Sequence, residues 1–113
     1  MLKQEDYKQH ISAKFNVELE GIKNRLLEMG GKVEEQLAAA VEALIERDSG
    51  AAEQIIDGDH DVNKMEMAID DECSTILARR QPAASDLRLI LTVIKVNTDV
   101  ERIGDEAAKI ARQ

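Results

Sequence analysis

Aromatic residues are almost missing from this chain: Tyr7 and Phe15 are the whole set, 2% of the sequence, and there is no tryptophan. A core made without rings has to be filled by Leu, Ile, Val, Met and Ala, a composition of packed helices more than of sheets. Only one proline, Pro82, occurs in 113 residues, so long unbroken helices are permitted on either side of it. A single cysteine excludes an internal disulfide. No basic leader precedes an apolar run, and no stretch approaches the ~18–20 apolar residues of a membrane span, so a cytoplasmic chain without direct membrane insertion is expected. Basic residues are the minority, 15 against 23 acidic, for a net charge of −8. Such a surface repels an extended phosphate backbone, and no nucleic-acid partner is expected.

What is present is apolar spacing at alternating steps of three and four, the mark of a helix with one buried stripe. It runs through Phe15, Leu19, Ile22, Leu26, Met29, Val33, Leu37, Ala40 and Leu44, with Tyr7 and Ile11 hinting at an earlier start. Two successive four-residue steps, Met29 to Val33 to Leu37, read as a stutter. Gly30-Gly31 weakens this helix without ending it. Arg47-Asp48-Ser49-Gly50 supplies a turn with Asp48 or Ser49 as N-cap, and Gln81-Pro82 supplies the next. Residues 1–113 therefore read as one all-α domain: an up-down-up bundle of three long antiparallel helices over about 6–48, 51–80 and 83–112.

Carboxylates interrupt the apolar stripes of the second and third helices. On the second, Ile55, Asp59, Val62, Glu66, Ile69, Cys73 and Ile76 form the seam, with Asp70 one turn beyond Glu66. On the third, Leu87, Leu91, Ile94, Thr98, Glu101, Asp105 and Ala108 do so. If the two helices fold back around Gln81-Pro82, residues whose numbers sum to about 163 are level. Glu66 then meets Asn97, Val62 and Asn63 meet Glu101, and Asp59 meets Asp105. Carboxylates gathered in one interhelical groove repel one another unless a cation stands between them. Glu66, Asp70, Glu101 and Asp105 are the first candidates for its ligands, with Asp59, Asn63 and Asn97 in support. An oxygen-only set without His10 or His60 suits Mg, Mn, Ca or Fe better than zinc. The plainer reading is a solvated acidic face. His60 reads as a surface residue, Cys73 as a buried structural thiol, and Met65 and Met67 as packing. No nucleophile beside a base and no glycine-rich phosphate cradle can be assembled, so no enzyme is expected.

Several stretches resemble the N-terminal half of the PhoU family: His10 to Glu20, Gly58 to Asp70, Arg80-Gln-Pro-Ala-Ala-Ser-Asp-Leu-Arg88 and Glu101-Arg-Ile-Gly-Asp105. The resemblance implies a three-helix repeat, usually present twice, whose Glu/Asp-x-x-x-Asp motifs hold metal; they match Glu66-x-x-x-Asp70 and Glu101-x-x-x-Asp105 here. It also implies a negative regulator linking a phosphate ABC transporter, through its ATPase, to a sensor histidine kinase. A homodimer is expected on the same ground and because Leu27, Ile45, Leu89 and Ile103 lie off the seams. Only one repeat is present, as in a natural single-repeat relative or in the first half of a longer protein; Met1 and an ending inside the third helix favour the latter.

Overall fold

Three periodic segments become three helices, α1 (Gln4–Glu46), α2 (Ser49–Arg80) and α3 (Ala84–Ala111), each packed along both others in an up-down-up arrangement. The computed structural model describes the backbone of residues 4–113 and the side chains of residues 13–113. The bundle is a rod of 68 × 20 × 16 Å, and the 43 residues of α1 account for its length at about 1.5 Å each. Gly30 and Gly31 lie within α1, which continues through them. Tyr7, His10 and Ile11 lie outside the residues with described side chains.

Each reversal has a local cause. Arg47 takes a left-handed φ of 57°, and the Asp48 carboxylate then accepts from the Ala51 amide at 3.1 Å, capping α2. At the far end Gln81, with φ 43°, closes α2 behind Arg79 and Arg80, whose charges suit the negative helix end. Pro82 then keeps the chain extended until α3 starts at Ala84. Its first turn has no side-chain cap but carries Asp86.

The main core joins Ile22, Met29 and Val33 of α1 to Val62, Ile69, Cys73 and Ile76 of α2 and Ile90 of α3. A second cluster, Ala40, Ala43, Ile55 and Ala107, lets the helices approach closely at the other end. The α2 seam is as expected, with Glu66 half-buried and its other members buried.

The other two seams differ from the sequence reading. Along α1 the buried line runs Met29, Val33, Gln36, Ala40, Ala43, so the steps alternate and there is no stutter. Leu37 is pushed to the flank and Leu44 is exposed. Along α3 the buried positions are Ile90, Asn97, Gly104, Ala107 and Ala108, whereas Leu87, Leu91 and Thr98 are exposed. Apolar residues spread over a wide arc of α3, so more than one line of threes and fours fits it; the small Gly104 and Ala107 decide which side enters the bundle. Met67 is also exposed, and only Met65 of that pair packs on the core.

Candidate metal-binding groove

The α2–α3 pairing inferred from residue numbers is present in space. Asn97, fully buried, donates through Nδ2 to the Glu66 backbone carbonyl at 3.0 Å. Two turns further, Gly104 packs where any Cβ would lie 3.3 Å from Val33 Cγ2 and Val62 Cγ1 and 3.5 Å from Asp59 Oδ1. Its missing side chain is what allows a carboxylate into this layer.

Asp59 is the most enclosed acid of the groove, 6% exposed, and its Oδ1 is buried without a hydrogen-bond partner. Burial first, and the Asp105 charge second, hold its carboxyl above the ordinary range, with Arg112 and His60 opposing. Glu101 is raised by burial, then by Asp105 and Asp59. Glu66 is raised by burial, then by Glu101 and Asp70. Glu101 thus links two groups of charges, Asp59 and Asp105 on one side and Glu66 and Asp70 on the other.

Of the expected ligands, Glu66, Asp70, Glu101 and Asp105 are half-buried, so none is a fully solvated side chain. Asp59 and Asn97 are more central than their supporting rank suggested, and each carries a buried oxygen without a partner. Asn63 is half-buried and makes no hydrogen bond among the described residues. Lys109 lies 3.6 Å from Asp105 and 3.2 Å from Glu106 at the exposed edge. Among the described residues, no three His, Cys, Asp or Glu side chains converge on one point as a metal shell would.

Two packing features lie outside the sequence reading. Gln36 is buried on α1 with its Oε1 unpartnered, and its amide lies over Gly58 of α2, where a Cβ would collide with it. Its signal was the regular spacing Val33, Gln36, Ala40. Gly104 is the other: a glycine away from any turn is the mark of a close approach. Cys73 is buried as expected, and desolvation with the nearby Asp70 and Glu72 pushes its thiol up to about 11, away from nucleophilic use.

Chemically, the groove offers only hard oxygen donors and excess negative charge. Such a donor set is of the type that takes a hard cation such as Mg, Mn or Fe, but the described carboxylates do not converge on one point.

A family profile described as PhoU domain matches residues 26–113. A phosphate-specific transport system accessory protein PhoU homolog of Pseudomonas putida is 58% identical over 113 residues, covering 100% of this chain and 44% of that relative. The phosphate-specific transport system accessory protein PhoU of Escherichia coli (strain K12) is 52% identical over 103 residues, covering 91% and 43%. Among solved structures, PhoU from Pseudomonas aeruginosa superimposes with a TM-score of 0.84 at 59% identity, covering 87% of this chain and 47% of that one. PhoU from Streptococcus pneumoniae gives 0.81 at 37% identity, covering 87% and 46%. The chain therefore spans about half the length of the relatives it matches. With its three helices in the same arrangement and the family profile covering most of its residues, this chain belongs to the PhoU family.

Proposed function

We propose that this chain acts as a non-enzymatic, cytoplasmic regulator of phosphate uptake and signalling. It works as a homodimer, linking a phosphate ABC transporter to a sensor histidine kinase and repressing the phosphate-starvation response when phosphate is plentiful. Support comes from its relatives, named as accessory proteins of the phosphate-specific transport system. Within this role the α2–α3 groove takes up a hard cation, Mg, Mn or Fe, between Asp59, Glu66, Asp70, Glu101 and Asp105, with Asn97 in reach. The observation that carries the cation is the unpartnered, buried Asp59 Oδ1 within the field of Asp105 and Glu101. The cation supplies charge compensation that lets the acids come together, while Asn97 and Gly104 keep the helices in step.

A second reading has its own support. Because no three carboxylates converge among the described residues, the acidic groove serves equally well as a face for basic partner surfaces, with no metal. Metal analysis of protein purified without chelator, paired with retention of the transporter ATPase and of the kinase by the immobilised chain, separates the two. Bound metal that is lost, together with partner retention, when Glu66, Asp70, Glu101 and Asp105 become Ala supports the cation reading. Metal-free protein that still retains a partner supports the second. Retention of neither partner by wild type counts against the regulatory role of this half.

A further inference from the structure

The face between α1 and α2 is left open. Clefts of about 480, 420 and 230 Å³ lie along it, the last two sharing Glu35, so that the opening follows α1 from Val17 to Ala39, about 33 Å at 1.5 Å per residue. Glycine makes the room. A Cβ at Gly21 or Gly31 would meet nothing within 4 Å, and both line this groove, with Val17, 72% exposed, and Met65 as apolar neighbours.

Its polar groups are short of donors. Arg25 and Lys32 of α1 already cross the groove to Glu72 and Asp61 of α2. Both pairs are open to solvent, so neither holds its carboxylate against a competing cation. Glu28 and Glu35, exposed on either side of Gly31, make no ion pair among the described residues, and neither does Asp71; Arg79 is the one unpaired cation that lines the groove among those residues. Gln36, 9% exposed, lines the end nearer Ala51. Its Nε2 packs on Gly58, and its Oε1 has no hydrogen-bond partner. Carboxylates and an amide carbonyl only accept, so the chemistry that suits them is a donor that is also a cation.

We propose that this groove docks a helix of a partner protein, one with an apolar ridge flanked by lysines or arginines. Shape selects a helix, because a straight trough between two antiparallel helices takes a third along its length. Charge selects its flanks. Glu28 and Glu35 are seven residues apart, so basic side chains at that spacing reach both while the apolar ridge settles over Gly31 and Met65. An acidic helix, a polyanion or a second copy of this chain, with its net charge of −8, meets surplus carboxylate instead. The groove uses the side of α2 that carries Asp61 and Glu72, away from the side that meets Asn97 of α3, so it is a second surface, separate from the cation site.

The test is the fluorescence anisotropy of a labelled helical peptide of about 20 residues, with a leucine ridge and lysine flanks, titrated with the 113-residue chain at physiological ionic strength. Wild type should bind it. Changing Gly21 and Gly31 to Leu fills the groove where the fold has no atom to displace, and should raise the dissociation constant by about tenfold or more with helicity by circular dichroism unchanged. Reversing Glu28 and Glu35 to Lys should raise it as much. Reversing Glu34 and Asp99, exposed acids that do not line the groove, changes net charge equally and should move it by less than about threefold. Failure of wild type to bind overturns the proposal, and so does an affinity that ignores the two leucines or falls equally with either pair of reversals. Each of these results leaves the regulatory reading standing, because that is judged by retention of the transporter ATPase and the kinase.

Discussion

Asn97 of α3 reaches across to α2 and donates its amide to the backbone carbonyl of Glu66, 3.0 Å away, from a position with no solvent exposure. A polar side chain at the centre of an apolar seam opposes stability and favours one register, because sliding α3 along α2 would bury the amide without a partner. In this register Glu101 interacts with the charges of both Asp59 and Glu66.

Asn97→Asp should therefore be severe. It removes the donated hydrogen bond and adds a buried carboxylate beside Glu66 and Glu101, a loss of about 3 kcal/mol or more at pH 7. Chemical denaturation should show part of that loss recovered near pH 5, where the added acid takes up a proton.

Glycines should divide by their surroundings. Gly31 is exposed within a helix and a Cβ there meets nothing within 4 Å, so Gly31→Ala should stabilise by about 0.5–1 kcal/mol. At Gly104 even a Cβ presses on Val33 and Val62, so Gly104→Val should destabilise by at least about 2 kcal/mol. Thermal melts of the two variants should move in opposite directions.

Ion pairs should divide likewise. Arg80 donates to Glu18 at 2.6 Å with both side chains largely covered, and the Arg80 Nε is already buried without a partner. Glu18→Ala strands that charge and should destabilise by about 1–3 kcal/mol, whereas Glu106→Ala, which leaves the exposed Lys109 with Asp105, should stay within about 0.5 kcal/mol.

Acidity should help the metal-free fold. Asp59, Glu66 and Glu101 bind protons more tightly when folded than the ordinary values of 3.8 for Asp and 4.5 for Glu allow. Between the unfolded and folded values the native state holds more protons than the unfolded chain, so stability falls as pH rises through that window. Without cations, the midpoint of unfolding should climb as pH drops from 7 toward about 5, and Glu101→Gln should flatten the climb.

The sequence made the helices legible because their apolar spacing is regular and Asp48 and Pro82 mark the turns. It placed α2 fully, since only one line of threes and fours fits that helix. On α3 it did not: Leu87, Leu91, Leu89, Ile90 and Ile94 cover most of the circumference, and periodicity cannot choose among stripes when nearly every side is apolar. The choice comes from three-body packing at Gly104 and Asn97, which no single helix encodes. The groove itself was legible, because fold-back around Pro82 fixes which residues are level. The depth of Asp59 was not, since it depends on Gly104 of another helix leaving room beside it. Gln36 was hidden by the expectation that a seam is apolar.

Thermal unfolding of the 113-residue chain and of its Glu101→Gln variant, each with chelator and then with Mg, Mn or Fe salts, tests the cation groove most directly. Without metal, Glu101→Gln should be as stable as wild type or more so, because it removes one charge from a repelling cluster. With metal about a hundredfold above its dissociation constant, wild type should gain about 2.7 kcal/mol, and the variant should gain less and become the weaker of the two. The reversal of order is the predicted result. Midpoints of both proteins that stay unmoved by all three metals would contradict it, and the groove would then be an acidic face for partners alone.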